Sequence, residues 1–222
     1  MIALPTQTLS LLTMGFGLGL LHALDPDHVL AVANLGDARA GRRATLSFCA
    51  RWALGHGAAL LVIGALVLLA GMAVPNDLSA AAEHLVGWVL IALGVTTLWR
   101  LWAGEAPVQW HCHGVDGAHL HVAGLPAHQG RRALLVGLLH GTAGSAALLV
   151  LAPLASAANP WLGMSYLVLF ALGVLAAMLA FGGVLGAGLR HLRGQGAGVA
   201  SGLRILVALA AMAFGLLLLR AG

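Results

Sequence analysis

His22-Ala-Leu-Asp25-Pro26-Asp27-His28 interrupts an otherwise apolar run that extends from about residue 8 to residue 33. A run of that length exceeds the ~20 residues that cross ~30 Å of hydrocarbon as a helix. An ionised carboxylate facing lipid at that depth costs at least ~2.5 kcal/mol, so Asp25 and Asp27 are expected to face a protein interior or a wet cavity. On a continuous helix, at about 100° per residue, His22, Asp27 and His28 point in widely different directions and cannot converge. Pro26 changes this, because it lacks an N–H and disfavours helical geometry at Asp25. Asp is a good N-cap and Pro is favoured at the first helical position, so Asp25-Pro26 reads as the start of a second half-helix. His22 then closes the first half, while Asp27 and His28 occupy the opening turn of the second. The dipole at that helix start stabilises a carboxylate and biases His28 toward neutral imidazole, the form that binds a metal.

The composition extends this reading to the whole chain. Of 222 residues, 60% are hydrophobic and only 8% charged, with a mean hydropathy of +0.96; soluble domains carry roughly 25% charged residues. A single-domain, all-α membrane protein follows, with the lipid bilayer as its surroundings. The formal charge of +4 comes with eleven basic residues, all Arg and gathered at helix ends, without the basic block that nucleic-acid binding requires. Cys49 and Cys112 form neither a disulfide framework nor a Cys-x-x-Cys pair. No Lys or Arg precedes the first apolar stretch, so that stretch is expected to be retained rather than cleaved as a signal peptide.

Apolar runs predict six spans near 8–33, 45–72, 79–102, 133–156, 161–188 and 199–219. Arginines follow the first span (Arg39, Arg42, Arg43), flank the loop after the third (Arg100, Arg131, Arg132) and follow the fifth (Arg190, Arg193); the loops after the second and fourth have none. The positive-inside rule then puts both termini outside and the first, third and fifth loops in the cytoplasm. Gly19-Leu-Leu-His22 recurs as Gly137-Leu-Leu-His140, and the same offset of 118 lays Trp52-Ala-Leu-Gly55 on Phe170-Ala-Leu-Gly173. Two halves, about 1–103 and 132–222, with three helices each would lie in opposite orientations, joined by a cytoplasmic loop over 104–131. Inverted repeats of this kind occur in transporters with a site near the membrane midplane.

Further candidate ligands lie at similar depth. His56 sits between Gly55 and Gly57, which permit close helix approach, and His140 occupies the repeat position of His22. An interhelical hydrogen-bonding role is the competing reading for both, and Thr142 and Ser145 read as capping or packing hydroxyls. Arg51, inside the cytoplasmic end of the second span, is expected to pair with Asp37 or another acid. Imidazole and carboxylate ligands suit Ni, Co, Zn and Cu(II), whereas Cu(I) prefers Cys and Met. The third loop holds His111, Cys112, His113, Asp116, His119, His121 and His128. Two His-x-His pairs flank Gly114-Val-Asp-Gly117, which can turn the chain so that the pairs face each other across a hairpin. A secondary metal site on His111, Cys112, His113, His119 and His121 is the expectation, a flexible polar connector its alternative.

The His22-x-x-x-x-Asp27-His28 element resembles the signature of the nickel/cobalt permease family (NiCoT), and Leu54-Gly55-His56 resembles its second motif. The run from Gly137 through Ala147 is similar to the shorter, urease-associated branch of the UreH type. This resemblance implies a transporter of Ni²⁺ or Co²⁺ in the cytoplasmic (inner) membrane, with no prosthetic group. Its metal residues would be His22, Asp25, Asp27 and His28, which match the family motif, joined by His56 and His140. Cytoplasmic partners would be a metallochaperone or the maturation factors of urease or hydrogenase. Larger members have eight spans and a later acidic motif with no counterpart here. Uptake is the first expectation and efflux through the same architecture the second. An intramembrane metal-dependent hydrolase is a weaker alternative, because there is no His-Glu-x-x-His and Glu83 and Glu105 lie at span ends. The protein is accordingly expected not to be an enzyme.

Overall fold

Apolar chain segments in lipid must satisfy their backbone polar groups internally, and helices do so within one segment. A computed structural model describes residues 6–35, 42–72, 76–103, 110–111, 119–120, 127–143, 159–193 and 197–221. Its helices are α1 (Thr6–His22), α2 (Pro26–Leu35), α3 (Arg42–Leu68), α4 (Asn76–Trp102), α5 (Ala127–Thr142), α6 (Pro160–Arg193) and α7 (Ala197–Ala221). Four of these, α3, α4, α6 and α7, are long and apolar enough to cross a membrane, and α1 with α2, bent by 53° at their break, passes the same test only as a pair, as a broken span or a re-entrant loop. The protein is thus an all-α, multi-pass membrane protein. Of the expected fourth span, α5 covers the part up to Thr142; residues 144–158 lie outside the described residues, as does Asp37.

The predicted break falls where Pro26 demands it. α1 ends at His22 and α2 begins at Pro26. Between them the backbone stays bonded: Leu24 N–H donates to Leu21 O and Asp25 N–H to His22 O, both at 3.0 Å. The Asp25 carbonyl then accepts the first bonds of α2, from His28 and Val29 at 3.1 Å each. Few orphan groups remain, which is how a helix can break inside an apolar protein.

Close glycine contacts bind the first part of the chain to the second. A Cβ on Gly19 would strike the Phe170 carbonyl oxygen, and one on Gly137 would strike that of Trp52. A Cβ on Gly55 would strike the Leu134 carbonyl, and one on Gly173 that of Phe16. Both pairs of contacts are related by the 118-residue offset, with the roles of the two parts exchanged. Consequently α1 packs on α6 and α5 on α3, while α3 and α6 also meet. The third helices follow suit, with a Cβ on Gly87 falling 2.9 Å from Gly215 O and one on Gly215 falling 2.5 Å from Gly87 O. Association in lipid relies on this kind of backbone approach, since burial of apolar side chains gains little there.

The main core lies where α1, α3 and α6 meet, around Trp52, Tyr166, Leu167, Phe170, Val174 and Met178. A smaller cluster of Ala31, Val86, Leu90 and Ala143 joins α2 to α4 and the end of α5. Asn34 Nδ2 ties α2 to α7 by donating to Val207 O at 3.4 Å. In the loop after α4, β1 (Trp110–His111) pairs antiparallel with β2 (His119–Leu120), setting His111 opposite His119. That is the expected hairpin at the level of the backbone; Cys112, His113, Asp116 and His121 lie outside the described residues.

Candidate metal centre

Among the described residues four polar side chains are buried, and all are histidines: His22, His28, His56 and His140. The break supplies the first two. With α1 stopped at His22 and α2 restarted at Pro26, the imidazoles of His22 and His28 come within 4.5 Å, centroid to centroid. Gly55 lets α3 press against α5, and His56 on the next position reaches the same space, 5.3 Å from His22 and 4.9 Å from His28. His22, His28 and His56 each offer a ring nitrogen within 4.8 Å of the other two. Asp25 and Asp27 make a second group with His28, again within 4.8 Å. His28 is the member common to both.

Hydrogen bonds orient these ligands. His28 Nδ1 lies 2.9 Å from His22 O, and a carbonyl can only accept, so Nδ1 carries the proton and Nε2 presents its lone pair. Fixing one imidazole nitrogen on a backbone carbonyl is the usual way a metal-binding histidine is held. Asp27 Oδ2 stands 3.6 Å from that Nε2. Asp25 Oδ2 approaches His22 Nδ1 at 2.6 Å, close but without hydrogen-bond alignment. The carboxylate that sequence reasoning assigns to capping α2 is therefore turned toward His22. Among the described residues, neither ring nitrogen of fully buried His56 has a partner. Each unpaired buried polar group costs roughly 1–3 kcal/mol, which marks this pair as candidate ligand atoms.

His140 stands apart. Its ring centroid is 5.8 Å from that of His28, yet among the described residues it joins neither ligand group. Its Nδ1 donates to Val136 O at 2.8 Å, and its buried Nε2 has no partner among the described residues. Aromatic rings complete the walls: Trp52 stacks on His56 at 5.3 Å and 8°, and Phe170 lies 5.4 Å from His22. Sequence reasoning singled out neither ring as part of the site. Their one signal was their place as equivalent positions in the repeat.

The outer candidates stay outer. Thr142 Oγ1 donates to Leu139 O at 2.7 Å, a local helix contact. Arg51 lays its guanidinium over Gly130 at the start of α5. His84 and Glu83 are half-buried in α4, away from the histidine group. Cys49 is buried in the core as a free thiol. Ser145 and Glu105 lie outside the described residues.

This chemistry, imidazole nitrogens inside and carboxylates at the margin, matches imidazole- and carboxylate-binding divalent metals. No protein-family profile and no solved structure matches the chain. A curated relative does: the urease accessory protein UreH of Bacillus sp. (strain TB-90) is 32% identical over 186 residues, covering 80% of this chain and 77% of the relative. With identity and coverage at that level, and the first-helix motif built into a buried histidine group, the chain belongs to the UreH family.

Proposed function

We propose that the protein is a permease, not an enzyme, that carries Ni²⁺ (or Co²⁺) inward across the cytoplasmic membrane through the His22–His28–His56 pocket. One observation carries the reading: three buried imidazoles on two spans offer ring nitrogens within 4.8 Å of one another. Nitrogens left unpartnered there are expensive unless an ion visits. Asp25 and Asp27 lie at the edge of the pocket, with side chains 41% and 18% exposed. They are suited to receive a hydrated cation before it sheds water for imidazole.

In this reading the chain has six spans, the fourth running from α5 into residues 144–158, and both termini face outward. The halves form an inverted repeat, supported by the reciprocal pairs Gly19–Phe170 with Gly137–Trp52 and Gly55–Leu134 with Gly173–Phe16. Arginines beside the first, third and fifth loops support the orientation. The relative's role as a urease accessory protein favours nickel as the ion and the cytoplasm as its destination. The maturation machinery of urease, or a metallochaperone feeding it, would receive the ion. A secondary cytoplasmic site on His111, Cys112, His113, His119 and His121 would hold it near the exit.

Radiolabelled nickel accumulation in cells tests this reading. Expression should raise accumulation above that of empty cells, and His28→Ala should abolish the increase. Accumulation below the empty-cell level would reverse the direction to export, and no change in either case would refute transport of nickel.

A further inference from the structure

The pocket contains a histidine that its present ligand group does not use. We propose that His140 enters the ligand group beside His28 when the pocket turns to the other side of the membrane, so that the set of ligands changes between the two states. This inference rests on the metal-permease reading above.

His22 and His140 are equivalent in more than sequence. Each follows by three positions a glycine pressed on the carbonyl of an aromatic residue from the other half, Gly19 on Phe170 and Gly137 on Trp52. Each imidazole also lies beside that same ring, His22 at 5.4 Å from Phe170 and His140 at 5.7 Å from Trp52. Both are nearly inaccessible, at 6% and 1% exposure. Their difference lies in their relation to His28, whose centroid is 4.5 Å from His22 and 5.8 Å from His140. His22 belongs to the ligand group and His140 does not.

Transporters built from inverted repeats change access by rocking one half against the other around a shared site. His140 stands on the other half from His28, so such rocking changes their separation, whereas His22 is tied to His28 within one half by the His22 O–His28 Nδ1 contact. The displacement is small: the two centroid distances differ by 1.3 Å (5.8 against 4.5 Å), and packed helices commonly shift by about 1–2 Å in such transitions. His140 is prepared for the role. With Nδ1 held by Val136 O, its unpartnered Nε2 keeps a free lone pair inside the protein. His28 must be the fixed partner, because its equivalent position in the second half is Ala146.

The test separates binding from turnover in the purified full-length protein. His140→Asn preserves a donor for Val136 O while removing a good nickel ligand. Its Ni²⁺ affinity in detergent should stay within about threefold of the parent, whereas His22→Asn should weaken binding about tenfold or more. In proteoliposomes preloaded with unlabelled Ni²⁺, counterflow of radiolabelled Ni²⁺ through His140→Asn should fall about tenfold or more. His140→Gln, one methylene longer, should give the same split and serves if the Asn variant does not fold. Parental counterflow in either variant would overturn the change of ligands. So would a loss of affinity equal to that of His22→Asn, which would make His140 a resident ligand. If His22→Asn leaves binding unchanged, the metal-pocket reading itself fails, a result distinguishable from both.

Discussion

His28 Nδ1 sits 2.9 Å from the carbonyl oxygen of His22, across the break between α1 and α2. The same oxygen accepts the Asp25 N–H at 3.0 Å, so both of its lone pairs are engaged. In an unbroken helix that carbonyl would point along the axis at Pro26, which has no N–H to give. Breaking the helix turns this local defect into the support that aims His28 Nε2 into the pocket. Local chain chemistry and ligand geometry are here one feature.

Pro26→Ala tests that link. Proline is about 3 kcal/mol less favourable than alanine inside a helix, so the variant makes a continuous first span more accessible. Healing the helix would swing His22 and His28 apart, and Ni²⁺ affinity should fall about tenfold or more. Isothermal titration of the purified variant measures this, with circular dichroism to verify retained helix. Unchanged affinity would mean that tertiary packing holds the break without proline.

Close helix approach gives a second prediction. Gly19→Val drives a branched side chain into the Phe170 backbone, and overpacking of this kind costs about 1–3 kcal/mol. Gly17, two positions away on the same helix, has open space around it. Gly17→Ala should therefore be neutral or gain up to about 1 kcal/mol from helix propensity. Thermal unfolding in detergent should separate the two, with the Gly19 variant melting lower.

Trp52 supplies an optical reporter. Its indole stacks on His56 and stands 4.9 Å from His28, while Trp88, Trp99, Trp102 and Trp161 are exposed on the outer helix faces. In the protein lacking residues 110–121, which removes Trp110 beside His111, saturable quenching of tryptophan emission by Ni²⁺ should thus come mainly from Trp52 and largely disappear in Trp52→Phe. Persistence of the full quench would place the ion elsewhere.

Deleting residues 110–121 should lower the number of Ni²⁺ ions bound but leave the tightest one. Equilibrium dialysis counts both classes. Loss of the tight ion would move the primary site from the spans to the loop.

Much of this arrangement was legible in the sequence because its causes are local. Pro26 and its flanking aspartates announce a break wherever the chain goes, and long apolar runs define spans by length alone. The hairpin opposing His111 to His119 follows from turn residues between two His-x-His pairs. The choice among the buried histidines was not legible. His56 and His140 looked alike in sequence, yet the former lies within ligand reach of His22 and the latter does not. That difference depends on how α3 and α5 rotate about the Gly55–Leu134 and Gly137–Trp52 contacts, which no single helix encodes. The turn of Asp25 toward His22 and the lid of Trp52 over His56 arise from the same packing. Arg51 covers Gly130, where a missing side chain leaves room; its expected partner Asp37 lies outside the described residues.

The most direct measurement is nickel K-edge X-ray absorption on the protein lacking residues 110–121, loaded with one equivalent of Ni²⁺. The account predicts imidazole nitrogens with some oxygen and no sulfur in the first shell, and a weaker imidazole signal in both His28→Ala and His56→Ala. A sulfur-containing shell, or a spectrum unchanged by both substitutions, would contradict the claim that His22, His28 and His56 form the metal pocket.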